Sequence, residues 1–259
     1  MTRLLRILAV LLMASVVTGC ATQSPYGRNP PPGAVHDPYE RTNRGIHQFN
    51  LGVDRSLFRP AAKSYVAIVP PSMVTSFSMF ADNFSEPGNV VNAMLQGNLK
   101  RAGTATARFL INSTIGFAGL ADPATEFGIP ADHTDFGETL HVWGVGEGAY
   151  VELPVFGPST QRDSVGLVVD FFTNPLSYAR NSGVDNVGPY AEVVQRLGER
   201  GTYSDTVDAI LYESADGYAQ LRTIYLQNRR YQLAGESGRD FADPYEDEFS
   251  LDPYEDPYE

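Results

Sequence analysis

A single cysteine sets the first limit on this chain. Cys20 is the only one among 259 residues, which excludes an intramolecular disulfide and any metal site built from several cysteines. Its surroundings give it another role. Arg3 and Arg6 precede an apolar run from Ile7 to Val17, and Val17-Thr18-Gly19-Cys20 comes next; a basic region, a short apolar region and this box make a bacterial lipoprotein signal. The run is too short for a spanning helix of about 20 residues. Residues 1–19 are therefore expected to be a signal peptide, with Cys20 as the lipid-attachment site of the mature chain. Two or three acyl chains anchor a protein stably where one gives only marginal binding. Ala21 stands at the position that sorts enteric lipoproteins, and it favours the outer membrane. The mature chain must build its core without covalent staples, and 42% apolar residues allow one good-sized domain or two small ones.

Between lipid and domain, residues 20–36 are rich in Pro, Gly, Ser and Asn, and Pro30-Pro31-Pro32 favours an extended tether. At the other end, residues 236–259 repeat Asp-Pro-Tyr-Glu at Asp243, Asp252 and Asp256 with no apolar run behind it, so they read as a disordered acidic tail. Nine acids and no base fall between Asp240 and Glu259 and supply most of the net charge of −12. With Lys63 and Lys100 its only lysines and the arginines scattered, the chain has no electrostatic footprint for nucleic acid.

The domain, residues 37–235, reads as mainly helical, an all-α fold with Gly/Pro-rich loops. Asp37-Pro38-Tyr39-Glu40 has the form of a capping box, and Ile46, Phe49, Val53 and Leu57 recur at helical spacing until Pro60 ends the pattern. Ser72 can cap a helix carrying Met73, Val74, Phe77, Met79, Phe80 and Phe84, either buried in a core or lying in the membrane plane. Glu86-Pro87-Gly88 marks a turn into a helix from Asn89 to about Asn112. Ser159 or Thr160 can cap a helix ending at Asn174-Pro175, and residues 188–198 give a short amphipathic one. The last helix carries a capping box at Thr202 to Asp205, an apolar face from Val207 to Tyr225, Arg229-Arg230 near its C-terminal end and Gly235 to close it. Strand alternation is confined to Tyr150-Val151-Glu152-Leu153.

Asp135 to Asp163 holds the only Trp and a dense set of glycines, with no catalytic series. Glycine permits close backbone approach while aromatics supply apolar surface, so Gly144, Gly146, Gly148, Tyr150 and Gly157 are candidate channel or rim residues. No Gly-x-Ser-x-Gly, phosphate loop or dinucleotide fingerprint occurs. His133 and His141, near Asp132, Asp135 and Glu138, match no metal spacing. The expectation is a protein that is not an enzyme and uses no cofactor or metal. No segment after Cys20 is long enough to span a bilayer; helices lying within one would require irregular backbone such as 144–157 to line a water-accessible cavity or be buried in protein.

Five motifs in order resemble those of the MlaA (VacJ) family of outer-membrane phospholipid-transport lipoproteins: Arg41 to Asn50 with Asn43, Arg44, Phe49 and Asn50; Asn83 to Gly97; Arg108 to Ala124; the Trp143 region; and Gly157 to Asp163 with Arg162 and Asp163. The chain departs from the family's pattern at Arg41-Thr42, at Trp143 where Tyr is common, and in its acidic tail. The resemblance implies a ring-shaped helical domain in the outer membrane's inner leaflet, with an amphipathic channel. It also implies a porin trimer as partner and delivery of mislocalised outer-leaflet phospholipid to a periplasmic carrier of the MlaC type. The alternative is a structural lipoprotein that scaffolds a porin or envelope complex without moving lipid.

Overall fold

The computed structural model describes residues 33–173, 175–178 and 187–234. Cys20, most of the tether, Gly235 and the acidic tail lie outside the described residues. The fold is mainly helical, with one small hairpin. Helix α1 (Glu40–Val53) runs through a π-helical turn (Asp54–Phe58) into α2 (Arg59–Ile68). Pro60 does not end the helix as expected. The Arg59 amide bonds the Asp54 carbonyl five residues back, and this change of register accommodates a residue without an N–H. The expected capping box at Asp37 is absent too. Tyr39 precedes α1 without a side-chain bond, and the Asp37 carboxylate instead accepts from Asn43, Tyr218 and Arg222.

Helix α3 (Pro71–Leu95) continues straight through the turn expected at Pro87. Buried Glu86 and Asn89 flank the missing amide, and Glu86 accepts from Asn89 and from Arg108 of the next helix, so tertiary bonds hold this turn helical. Ser72 provides no cap. The break comes later, where Gly97 takes φ 74° and the Asn98 side chain accepts the Arg101 amide at 3.0 Å to start α4 (Leu99–Thr114). Phe117, Ala118 and Gly119 then have φ of 52°, 62° and 96°, a left-handed turn leading to the short α5 (Pro123–Glu126). Asp135 caps α6 (Phe136–Val142) by accepting the Glu138 amide at 2.7 Å.

The Tyr150 alternation is strand β1 (Tyr150–Leu153), paired antiparallel with β2 (Gly157–Thr160), Tyr150 opposite Thr160. Thr160 caps α7 (Gln161–Thr173), its hydroxyl accepting the Asp163 amide at 3.2 Å and donating to the Asp163 carboxylate at 2.9 Å. A 3₁₀ turn (Pro175–Tyr178), α8 (Val187–Thr202), α9 (Ser204–Asp208), a second π-helical turn (Ala209–Glu213) and α10 (Gly217–Ala234) complete the order. The expected capping box at Thr202 is therefore wrong, since Thr202 ends α8. The single long helix is likewise broken at Ser214, whose ψ is 152°; Asp216 restarts it by accepting the Ala219 amide.

Helix α3 packs on α4, α8 on α2 and α3, and α6 on α7. Glycine permits the closest of these contacts. A Cβ at Gly201 would stand 2.5 Å from Val66 Cγ1 and 2.6 Å from the Ala62 carbonyl oxygen, so α8 lies on α2 with almost no side chain between.

The partition of side chains is inverted relative to a water-soluble bundle. Most of the fully buried apolar residues are alanines, whereas Asn43, His47, Glu86, Asn92, Arg108, Glu152, Arg162 and Arg200 are buried. Phe49, Leu57, Ile68, Leu99, Ile115, Phe117, Phe171 and Phe172 are exposed, Ile68 to 81%. The apolar stripe expected at helical spacing includes exposed Phe49 on α1 and Leu57 in the π-helical turn, while the buried positions of α1, Asn43 and His47, are polar. Of the large residues expected on the helix from Ser72, Val74 is buried, Met73 is exposed and the phenylalanines are half-buried. No single described helix is long and apolar enough to cross a membrane; α1–α2 and α3, bent at 120°, meet that test only as a pair.

Candidate functional site

Asn43, His47 and Asn50 lie four and three residues apart, which places them on one helical face. That face meets strand β1. Asn43 donates to the Tyr150 carbonyl at 3.1 Å and accepts the Glu152 amide at 3.1 Å, so one side chain completes the strand's edge as a neighbouring strand would. Asn50 repeats this at the turn, donating to the Leu153 carbonyl at 3.0 Å and accepting the Val155 amide at 2.7 Å. Between them His47 Nδ1 stands 2.9 Å from Glu152 Oε1, both groups buried. The ring of His47 meets Tyr218 edge-on at 5.6 Å, and Tyr150 meets the same Tyr218 ring at 6.0 Å. Helix α1, the hairpin and α10 are thereby locked together.

The hairpin tip, Pro154-Val155-Phe156, turns with Val155 at φ 70°, a left-handed conformation that costs a β-branched residue strain. Cavities open on its two sides. The larger, about 530 Å³, is lined by His47, Asn50, Asp54 and Glu152, by Val155, Phe156 and Gly157, by Val193, Arg196, Glu199 and Arg200 of α8, and by Val207, Leu211 and Leu221. The smaller, about 250 Å³, is bordered by Asp135, Leu153, Phe156, Asp163, Asp170, Arg196, Tyr225 and Arg229. Phe156 and Arg196 line both. The larger cavity combines an apolar wall with a charged flank, a lining suited to an amphipathic molecule.

Charges in the walls are mostly neutralised within the protein. Arg200 grips Asp54 with two bonds at 2.8 and 2.9 Å and reaches Asp208 at 2.6 Å; Arg59 and Lys63 also bind Asp208. Hydrogen bonds from Arg59, Arg200 and Lys63 hold the Asp208 carboxyl well below its ordinary range against the opposing effect of desolvation. Burial and the neighbouring Asp54 push the Tyr212 phenol up to about 12. Bordering the smaller cavity, burial raises Asp163, yet Arg162 and Arg229 outweigh it and hold the group at about 2. Asp170 goes the other way. Burial lifts it to about 6 even though it accepts from the Phe136 amide and from Asn92.

The other expected positions have varied surroundings. Gly157 lines the larger cavity, whereas Tyr150 is fully buried and lines neither. Gly144, Gly146 and Gly148 join α6 to β1 and are not among the residues lining either cavity. Gly144 and Gly148 take φ of 98° and 71°, and a Cβ on Gly148 would meet Gln161 at 2.7 Å. Arg44 pairs with Glu40 and Asp216 on the surface. Arg229 and Arg230, expected to serve the helix dipole, reach Asp135 and Asp163, and Glu147. Asp132 and Glu138 are bound by Arg101, and His141 lies 3.5 Å from Arg162, so the acids beside His133 and His141 serve arginines. Among the described residues no group of three or more His, Cys, Asp or Glu is arranged to hold a metal ion. His47, Asp54, Arg196 and Arg200 went unrecognised in the sequence. The spacing of Asn43, His47 and Asn50 was visible there, but the apolar periodicity of the same helix drew the face assignment elsewhere.

Residues 35–232 match the family model for the MlaA lipoprotein. The chain is 32% identical to the intermembrane phospholipid transport system lipoprotein MlaA of Escherichia coli over 237 residues, 89% of this chain and 90% of that one. It is also 32% identical to the Haemophilus influenzae protein of the same description, covering 88% and 90%. An uncharacterised protein of Rickettsia conorii is 34% identical over 190 residues, 73% of this chain and 74% of that one. A solved chain from work on the structural basis for maintenance of bacterial outer membrane lipid asymmetry superposes with a TM-score of 0.65 at 32% identity, over 76% of this chain and 98% of that one.

Proposed function

The chain belongs to the MlaA lipoprotein family, and from that premise we propose that it removes mislocalised phospholipid from the outer leaflet of the outer membrane. Lipid moves through the amphipathic cavity beside the hairpin to a periplasmic carrier of the MlaC type. Acylated Cys20 anchors the chain to the membrane, its apolar exterior lies in the inner leaflet, and an outer-membrane porin trimer is its neighbour there. The work consists of binding and release, with no bond chemistry and no cofactor.

The inverted partition carries this reading. A helix that buries Asn43 and His47 while exposing Phe49 and Leu57 is suited to hydrocarbon outside and polar groups inside. Buried ionic and amide groups are costly unless paired; here they are paired, and His47, Glu152 and Arg200 among them join an apolar wall around a cavity large enough for a head group and the start of its chains. Gly157 and Asn50 belong to that lining, while Gly144, Gly146 and Gly148 shape the approach to the hairpin. Outer-leaflet phospholipid, measured by enzymatic labelling of surface lipid, should accumulate in a strain lacking the gene and fall again with a wild-type copy. It should remain high with Val193→Trp, which narrows the cavity without removing a hydrogen bond. Normal surface lipid in the deletion strain would favour the scaffold instead, and full rescue by an equally abundant Val193→Trp would put the passage elsewhere.

A further inference from the structure

Arg200 and Arg229, the other cations among the cavity linings, are tied down by carboxylates, Arg200 by Asp54 and Asp208 and Arg229 by Asp135 and Asp163. Arg196 is different. Among the described residues it makes no ion pair within 4.0 Å, and its guanidinium lies 5.7 Å from the centre of the Phe156 ring at the hairpin tip. It lines both cavities, so anything passing from one to the other meets it. One turn further along α8, Glu199 lines the larger cavity, exposed and likewise without an ion pair among the described residues. Residues three apart on a helix are neighbours, about 5–6 Å between their Cβ atoms. A cation and a carboxylate thus stand side by side on one wall, neither of them spent on a salt bridge.

Resting on the transport reading above, we propose that Arg196 and Glu199 form the head-group site of the passage and select a zwitterionic phospholipid. The Arg196 guanidinium donates to the phosphodiester oxygens, and the Glu199 carboxylate accepts from the primary ammonium of an ethanolamine head group. A planar guanidinium suits a phosphate because two of its N–H groups point the same way. Phe156 holds the cation at the junction through its ring face while leaving those N–H groups available, a contact that desolvation strengthens. The apolar part of the wall, with Val193 and Leu221, receives the start of the acyl chains.

The test uses the full acylated chain in detergent, titrated calorimetrically with dihexanoyl phosphatidylethanolamine, dihexanoyl phosphatidylglycerol and inorganic phosphate. Arg196→Gln should weaken both lipids about tenfold, a loss equivalent to one charge-assisted bond, and Arg196→Lys should recover most of it. Glu199→Gln should weaken the ethanolamine lipid alone, which erases the preference between the two. Equal binding of both lipids by wild type and Arg196→Gln would overturn the site while leaving the transport reading standing. Loss of phosphatidylglycerol binding in Glu199→Gln to the same degree as phosphatidylethanolamine would overturn the role given to the carboxylate. Inorganic phosphate displacing either lipid at equal concentration would reassign Arg196 to a free-anion site. A wild-type chain that binds neither lipid would remove the transport reading itself.

Discussion

Replacing Arg108 by Met tests whether the polar interior holds this fold together. Arg108 and Glu86 are 4% and 2% exposed, and the guanidinium spends its donors on Glu86 at 2.9 Å, Asp122 at 2.8 Å, the Ile129 carbonyl at 2.6 Å and the Thr125 hydroxyl at 3.0 Å. Met fills much of the volume and supplies none of these bonds. Among the described residues Glu86 then keeps only Asn89 as donor, and Asp122, now held below its ordinary range despite burial, loses its cation. Breaking a buried pair from one side costs about 3–5 kcal/mol, because the surviving charge stays behind. For a domain of this length that is a fall of roughly 10 °C in melting temperature, read by circular dichroism in detergent. Adding Glu86→Gln removes the stranded charge, so the double variant should be more stable than Arg108→Met alone, with a coupling of about 1 kcal/mol or more. A single variant within about 0.5 kcal/mol of wild type would refute the reasoning, for it would mean that water or side-chain movement replaces the network at no cost.

Three further outcomes are expected. Gly201→Ala should cost about 1–3 kcal/mol by forcing α8 off α2, whereas Gly103→Ala, in α4 with open space around its Cβ position, should gain about 0.5–1 kcal/mol; equal melting shifts would show that helix propensity, and not close approach, decides both. Asp170 is raised to about 6 from 3.8 by burial, so its contribution to stability is present below the unfolded value and lost as pH rises through the folded one. Between about pH 4 and about pH 8 wild type should therefore lose about 3 kcal/mol relative to Asp170→Asn, and parallel stability curves would contradict the assignment. Val155→Gly should stabilise the hairpin by about 1 kcal/mol by relieving the left-handed strain at φ 70°, as read from hydrogen exchange at the Asn50-bound amide; slower closing and faster exchange would count against it.

Helix content was legible because Pro, Gly and capping residues punctuate the chain, and Thr160 caps α7 as its spacing suggested. The breaks were harder. Pro87 looked like a stop, yet bonds from Arg108 and Asn89 to Glu86 carry α3 through it, and those partners cannot be read locally. Apolar periodicity on α1 identified a stripe correctly but not what covers it, since spacing marks a face and is silent on whether protein or lipid lies against it. The candidate site suffered most. His47 and Glu152 are 105 residues apart, and Arg200 and Asp54 146 apart, so their pairing exists only once the helices are assembled. Glycine density drew attention to Gly144, Gly146, Gly148, Tyr150 and Gly157, of which Gly157 alone lines the larger cavity; the hairpin supplies that lining together with α1, α8 and the helical turns that follow each.

The first and last described helices close on each other. Asp37 accepts from Tyr218 and Arg222, Arg44 pairs with Asp216, and Arg230 donates to the Ala34 carbonyl 196 residues away. Such a clasp acts in time as well as in space. A chain delivered N-terminus first cannot fasten it until α10 has emerged, and pairings this distant in sequence form slowly. Until then Asp37 and Arg44 lack these distant partners, and His47 lacks the Tyr218 ring that packs against it. Shortening the chain before Asp216 should therefore leave the first helix unfastened however much of the middle has folded.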